Sequence, residues 1–525
     1  MRVELTVHEP DHHQSQADDP TGESARVATA LSEQPGVDRA VVMPGRTRDG
    51  AVTLTAYVVP AGASPPGGLA GEDTREQVAA WRDVYESLYS RPGETAPQDD
   101  FVGWNSSFGD GAIPADEMRA WQEAALAEIR EQAPERVLEI GVGSGLLLAP
   151  LAPEVKSYWA TDFSPATVER LRGHTEAAGW EHVRLRCQPA DDVSGLPGGR
   201  FDTVVLNSVV QYFPNAGYLI GVLEKVFDLL VPAGRIVLGD VRHLGLLRTL
   251  HTAAVLHQQR AAGAAVDLAA LNTRIDRAMI MDKELLVAPE FFANWAGARP
   301  DCAGADIRLK RGTARNELTR FRYEVVLHKV PAAATSAADV DTLAWDGDLD
   351  ALGDRVRAEC ATGRRLRVTG IPNARIADDV AAMWDLAEGG SGRINPATGA
   401  VDPEALHRWA ADRGARVLST WSAASLDSFD SVFAPRAGTA LVPARWPERA
   451  GWPVRGLISD PVGARHTRKQ VTGLHRALAG RLTDVAAPVR IVLLDELPLT
   501  AGGEVEWRAL PTPDHLVASG LVRLV

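Results

Sequence analysis

The stretch Arg136-Val-Leu-Glu-Ile-Gly-Val-Gly-Ser-Gly-Leu146 constrains this chain more than any other. It holds an apolar run the length of one buried strand, a turn with glycine at every second position, and a helix beyond. Glycine allows a sharp turn and lets a ligand lie against bare backbone at the carboxyl end of a strand, the ligand edge of an open parallel sheet. Gly141, Gly143 and Gly145 are spaced G-x-G-x-G, whereas a turn built around a dinucleotide has G-x-G-x-x-G. By itself the turn is equally readable as a plain turn or as the site of another nucleotide.

Two aspartates stand where a nucleoside-bearing ligand would need them. Asp162 ends the next apolar strand, followed by Phe163, about 20 residues after the turn, where a carboxylate accepts both ribose hydroxyls. Its other reading is a helix cap. Asp191 follows the third strand, as an acceptor for an adenine amino group or as a solvated loop residue.

From about residue 75 to 330, helices alternate with short apolar strands, the pattern of an α/β domain with a mainly parallel sheet. Strands are expected at 136–140, 157–162, 183–187, 201–207 and 235–240, closed by a hairpin of 307–310 and 321–327. The Ala-, Leu- and His-rich stretch 244–281 reads as helices inserted over the ligand edge, a substrate lid. At 525 residues the chain exceeds one ordinary core, and length alone predicts roughly two to four domains. Residues 1–24 read as a polar tail whose His8, Asp11, His12 and His13 have no element to fix metal geometry, so no metal site is expected. Residues 25–62 read as helix, strand, turn at 46–50 and strand, with a linker over 61–71. After a Pro/Ala/Ser linker, 331–435 form a second small α/β unit with strands at 365–370 and 416–421. Residues 436–515 carry a helix over 464–482, a strand over 489–494 and a turn at Gly502 and Gly503.

A net charge of −14 argues against a polyanionic partner, so nucleic acid is not expected. Cys187, Cys302 and Cys360 are far apart, without a disulfide framework or zinc spacing, which suits a reducing cytoplasm. No apolar stretch has the length of a signal peptide or membrane span.

Several motifs in order then carry a resemblance. Gly103-Trp-Asn-Ser-Ser-Phe108 with Ile113-Pro-Ala-Asp-Glu-Met118, Leu206-Asn-Ser-Val-Val-Gln-Tyr-Phe-Pro214, Gly239-Asp-Val-Arg-His-Leu244, Lys283-Glu-Leu-Leu-Val-Ala-Pro-Glu-Phe-Phe292, Asn316-Glu-Leu-Thr-Arg-Phe-Arg-Tyr323 and Gly370-Ile-Pro-Asn-Ala-Arg375 resemble the methyltransferase domains of nonribosomal peptide synthetases over residues 80 to 435. Leu54-Thr-Ala-Tyr-Val-Val-Pro60 and Leu497-Pro-Leu-Thr-Ala-Gly-Gly-Glu-Val-Glu-Trp-Arg-Ala-Leu-Pro511 resemble the two halves of an adenylation enzyme's small carboxyl-terminal subdomain, as in interrupted adenylation domains. The resemblance implies a class I Rossmann-like methyltransferase sheet with a lid insertion, a small α/β extension and a split α+β subdomain.

It also implies S-adenosyl-L-methionine as cofactor, with Glu139, Gly141, Gly143, Gly145, Asp162, Phe163, Asp191, Asn207, Trp104 and Met118 as candidate cofactor residues. Methyl transfer to an amine needs a lone pair held opposite the leaving sulfur and a group to take a proton. His243, Tyr212 and Asp240, beside or at the ends of the fourth and fifth strands, are the catalytic candidates. Their plainer readings are a structural histidine, a packing aromatic and a turn residue. The implied acceptor is a backbone amine on an aminoacyl or peptidyl carrier protein, or a small amino-acid-derived substrate, with an adenylation protein in trans as a further partner. Oxygen, sulfur or carbon methylation is the second reading, and a non-catalytic scaffold the third. Adenylation is not expected, because the family's adenylation lysine is matched by Glu504 and the ATP-binding portion has no counterpart here.

Overall fold

The computed structural model describes residues 22–46, 52–61, 71–90, 95–109, 111–263, 268–332, 340–387, 399–436, 457–462 and parts of 473–510. The terminal His/Asp cluster, the turn after Arg46, most of the 61–71 linker, most of the linker after residue 331 and much of the helix expected at 464–482 lie outside the described residues. The chain forms two compact units, one from the described residues of Met1–Pro66 with Val462–Val525, the other from those of Gly67–Pro461.

In the first unit, β1 (Val37–Arg46) pairs antiparallel with β2 (Val52–Pro60). Strand β2 is central and covered on both faces, which explains its apolar run from Ala56 to Val59. Leu54, Ala56 and Val58 face Val27 and Leu31 of the helix Glu23–Ser32, while Tyr57 and Val59 join a second cluster with Leu497 and Leu510.

The second unit is built on seven strands: β3 (Arg136–Ile140), β4 (Ser157–Asp162), β5 (Val183–Cys187), β6 (Phe201–Asn207), β7 (Leu230–Arg242), β8 (Cys302–Leu309) and β9 (Arg322–Lys329). Their order is β5-β4-β3-β6-β7-β9-β8, parallel through β7 and closed by the antiparallel β8–β9 hairpin. This is the Rossmann-like α/β sheet expected from sequence. The order runs one way from β3 to β5 and the other way from β6 to β7. The crevice where it reverses, between β3 and β6, is the place such a sheet binds ligands. Strand β7 extends past Asp240 because the ladder to β9 breaks between Leu238 and Val241, and Asp240 sits there with φ 61°. Leu244–Leu246, the helix Leu247–Ala262 and the helix Leu268–Met281 form the insertion after β7. A smaller sheet follows, β10 (Asp341–Ala344), β11 (Leu366–Pro372), β12 (Ala415–Trp421) and β13 (Ser428–Pro435), in the order β10-β11-β13-β12. Arg375 ties this region to the β8 end, donating to the carbonyls of Lys310 (2.6 Å) and Gly312 (2.7 Å). Finally β14 (Val489–Leu493) returns to the first unit and pairs parallel with β2, placing Val489 opposite Leu54.

Candidate active site

A cavity of about 690 Å³ opens where β3, β4, β6 and β7 end. Its floor is the turn after β3. Asp162, 3 % exposed, accepts from the backbone N–H of Gly143 (2.9 Å) and Ser164 (2.9 Å). Ser164 accepts in turn from Thr167 N–H, capping the helix Pro165–Ala177, which starts on proline as first turns favour. Burial pushes the Asp162 carboxyl up to about 6 against those N–H donors. Glu139, one strand position before the turn, is pushed up to about 8 by burial and accepts from the Tyr158 hydroxyl at 2.7 Å. It is therefore largely protonated at neutral pH and brings little charge to the wall.

The lid over this floor is the helix Glu72–Tyr89, whose Val78, Trp81, Tyr85, Leu88 and Tyr89 line the cavity. Those positions form one helical stripe, the sequence signal by which the helix was findable and by which it was missed as part of the site. Glu86 anchors it, accepting from Ser164 Oγ and from Ala166 N–H at the start of the facing helix, where a carboxylate also favours the helix dipole. Tyr85 donates to the hydroxyl of Tyr212, and the Trp81 ring packs 4.8 Å from the Tyr212 ring.

The wall beyond Tyr212 is charged. Arg242 binds Asp282 through both terminal guanidinium nitrogens (2.8 Å each) and also reaches Glu284 (2.9 Å). His251 Nε2 lies 3.2 Å from Asp282 Oδ2. Burial opposes the charge on Asp282, but Arg242 and the His251 hydrogen bond hold its carboxyl far below the usual range. None of these four was given a role from the sequence, because Arg242, His251 and the pair Asp282 and Glu284 come from three separate segments that no single motif joins.

Of the residues expected at the site, Trp104, Glu139, Gly141, Gly143, Asp162, Phe163, Asn207 and Tyr212 line the cavity. The others do not. His243 is 7 % exposed, its ring set edge-on to Trp421 (4.8 Å) and Tyr323 (5.7 Å), and burial pushes it down to about 3. It is a neutral side chain packed in the core, outside the cavity lining. Asp240 is turned into the sheet by its left-handed backbone. It is fully buried, bound by Lys310, by Ser208 Oγ and by Trp121 Nε1 at 2.7 Å, with Arg322 3.8 Å away. Burial opposes its charge, yet Lys310 and Arg322 hold its carboxyl below the usual range. Like His243, it does not line the cavity. Asp191 is engaged by the Tyr218 hydroxyl at 2.7 Å. Gly145 backs onto Leu171, whose Cδ2 would lie 2.7 Å from any Cβ there, so it serves close packing behind the turn. Met118, 0 % exposed, packs with Trp121, Leu146 and Leu318. Placement at or near a strand end was the shared reason for choosing Asp240 and His243; the irregularity in β7 falls at Asp240, between Leu238 and Val241.

The fit to a nucleoside with an aminoacyl arm can be tested on two features. At Gly143, φ is 54° and a Cβ would lie 3.1 Å from the Tyr89 hydroxyl, so the backbone is bare and the space beside it already narrow. A carboxylate has about four lone-pair sites. The backbone donors to Asp162 leave room for hydroxyl donors from the cavity. Both features suit such a ligand.

Residues 138–236 match the model of a family described as "Methyltransferase domain". The chain carries a methyltransferase domain. Along nearly its whole length it is also similar to parts of nonribosomal peptide synthetases. The chain is 44 % identical over 500 residues to a probable non-canonical nonribosomal peptide synthetase, CymA, of Salinispora arenicola, covering 95 % of this chain and 6 % of that protein. It is 33 % identical over 522 residues to chondramide synthase cmdD of Chondromyces crocatus, covering 94 % of this chain and 13 % of that one. The chain thus spans a small part of the curated relatives it matches. The N-methyltransferase NodS of Bradyrhizobium japonicum, solved with S-adenosyl-L-homocysteine, is 15 % identical with a TM-score of 0.28, covering 47 % of this chain and 98 % of that one. Among the described residues, no helix is long and apolar enough to cross a membrane.

Proposed function

We propose that this methyltransferase transfers a methyl group to the backbone amine of an aminoacyl or peptidyl group held as a thioester on a carrier protein of a nonribosomal peptide assembly line. The observation that carries the proposal is the division of one cavity into a nucleoside-binding floor, Gly143 with Asp162, and a polar far wall, Tyr212 with Arg242, Asp282 and Glu284. S-adenosylmethionine supplies an electrophilic methyl carbon when bound. Asp162 holds ribose hydroxyls, the glycine turn admits the aminoacyl arm, and the helix Glu72–Tyr89 with Tyr212 excludes water from the reacting atoms.

The carrier-bound acceptor is supported by the alignment to peptide synthetases along nearly the whole chain. The domain reading belongs to the same proposal: residues 25–62 and 436–515 as two halves of one adenylation-type subdomain, 75–330 as the methyltransferase and 331–435 as its extension. The pairing of β14 with β2 supports the first of these. We read the chain as inactive in adenylation, since Glu504 puts an anion where an adenylating enzyme needs a cation facing phosphate. The partners of the reading are a carrier protein and, through the split subdomain, an adenylation protein in trans, in the cytoplasm. Incubation with S-adenosylmethionine and chemically loaded aminoacyl carrier proteins tests it. A gain of one methyl group, located on the backbone nitrogen by fragmentation, is expected. Methylation of free amino acids alone, or of a side chain, overturns it.

Replacing Asp162 by Ala is expected to weaken S-adenosylhomocysteine binding by about 10- to 100-fold, the worth of charge-assisted hydrogen bonds to two hydroxyls, read by calorimetry. The same site gives a pH signature. With the Asp162 carboxyl at about 6 in the free protein, the ionised form that accepts hydroxyls is full above neutrality and is lost as pH falls through that value. Affinity should therefore fall on acidification from pH 7 to 5, and Asp162→Asn should remove that dependence. A flat profile for the wild type excludes Asp162 as the ribose acceptor.

A further inference from the structure

We infer that His251, on the inserted helix Leu247–Ala262, is the group that takes the proton from the acceptor amine, oriented by Asp282. This rests on the amine-methylating reading above. A free amine of an amino acid arrives as an ammonium and has no lone pair until a proton leaves, so a site that methylates it gains from a proton acceptor on the wall. His251 and Asp282 both line the cavity, on the wall that also holds Tyr212.

The chemistry of that wall narrows the choice. Asp282 is held ionised by Arg242 and by His251, which makes it an anchor and not a proton acceptor near neutral pH. Tyr212 is pushed up by burial, which keeps its proton in place over the same range. Glu284 is occupied by Arg242 at 2.9 Å. His251 remains, and its contact fixes the tautomer. With an ionised carboxylate 3.2 Å from Nε2, that nitrogen carries the proton and Nδ1 keeps a lone pair. Asp282 is itself immobile, since Arg242 grips both of its oxygens and the Glu284 N–H donates to it at 3.1 Å. A histidine aligned by a fixed carboxylate is the arrangement that makes imidazole an effective base and stabilises the imidazolium that forms.

Other charges around the ring are accounted for. Arg248, on the ring's own helix, is paired with Asp276 of the next helix at 2.7 Å. Arg322 of β9 stands 3.8 Å from Asp240, and Lys283 adds a cation to the same wall. The environment of His251 thus combines one direct anion with arginines paired to other carboxylates and the cation of Lys283.

In the step, the acceptor ammonium gives one N–H proton to His251. The freed lone pair forms the N–C bond as the C–S bonding pair returns to sulfur. The product leaves as a secondary ammonium, and the imidazolium gives its proton to solvent.

The test uses the full chain and chemically loaded aminoacyl carrier proteins, comparing wild type with His251→Gln, His251→Ala and Asp282→Asn. S-adenosylhomocysteine binding by calorimetry reports that each variant retains its site. His251→Gln is expected to lose about 100-fold or more in kcat, with KM and S-adenosylhomocysteine affinity held within about threefold. Its remaining rate should rise with pH as the amine deprotonates unaided, so that its pH profile differs from the wild type's. Added imidazole should restore part of the His251→Ala rate. Asp282→Asn should lower kcat by spoiling the tautomer while binding persists. A His251→Gln chain with wild-type kcat and pH profile overturns the inference and leaves the amine-methylating reading intact. A wild type that binds S-adenosylhomocysteine yet methylates no aminoacyl carrier protein overturns both, and the two results cannot be mistaken for one another.

Discussion

A Gly143→Arg chain should bind S-adenosylhomocysteine at least about 100-fold more weakly than the wild type, and for practical purposes not at all, while keeping its fold. Two effects are separable at this position. The backbone is left-handed, with φ 54°, and placing any L side chain there costs on the order of 1 to 2 kcal/mol, a strain that a unit with this large a core can carry. Beyond the strain comes the volume. The Cβ would already stand 3.1 Å from the Tyr89 hydroxyl, and every atom added after it enters the floor of the cavity, beside the N–H that binds Asp162. Gly143→Ala isolates the first effect and should cost about tenfold in affinity, since the Tyr89 side chain can shift by a few tenths of an ångström. Calorimetric titration of wild type, Ala and Arg chains, each checked by circular dichroism, reads the series. Equal binding by all three would mean that the cofactor does not lie on this turn.

The cofactor half of the site was legible because it is local. A strand, its glycine turn and an aspartate at the end of the next strand lie within some tens of residues, and parallel-sheet geometry brings them together whatever the rest of the chain does. The strands read from apolar runs between residues 136 and 207 have the bounds observed, because each is a short apolar-rich run punctuated by turn residues, although β5 is a partly exposed edge. Legibility failed where burial is shared between polar groups. Strand β13 reads Ser-Phe-Asp-Ser-Val-Phe-Ala-Pro, with no apolar alternation. Yet it is central in its sheet, because Arg367 pairs with Asp430 at 2.6 Å and Ser431 with Ser419 at 2.9 Å. Strand β10 is a short, mostly exposed edge and carries no pattern to find. The far wall of the cavity failed for a third reason. Arg242, His251 and Asp282 are brought together by the folding of an insertion, and nothing in their spacing announces it.

Replacing Lys310 by Met should lower the stability of the chain by about 3 to 5 kcal/mol, the cost of stripping a buried ion cluster of its cation. Lys310, 2 % exposed, lies between the carboxylates of Asp240 and Glu324, both themselves buried. Burial alone would drive its proton off, but the two anions reverse that and keep it charged. The two carboxylates are not equivalent. Burial pushes Glu324 up to about 7, with Lys310 opposing and the ionised Asp240 beside it adding to the rise, while Asp240 stays ionised. With the cation gone, both carboxyls must either hold an uncompensated buried charge or take up protons. The folded state then binds more protons than the unfolded one, so stability falls as pH rises. The Lys310→Met deficit, measured by urea denaturation, should accordingly be larger at pH 8 than at pH 5.5. Adding Glu324→Gln, which removes one of the stranded charges while keeping its shape, should recover part of it. A deficit below about 1 kcal/mol that is independent of pH would mean that the cluster is not ionised as described. The same cluster anchors the left-handed Asp240 beside Ser208, two residues before the cavity-lining Arg242, so its loss should loosen the far wall before it unfolds the sheet.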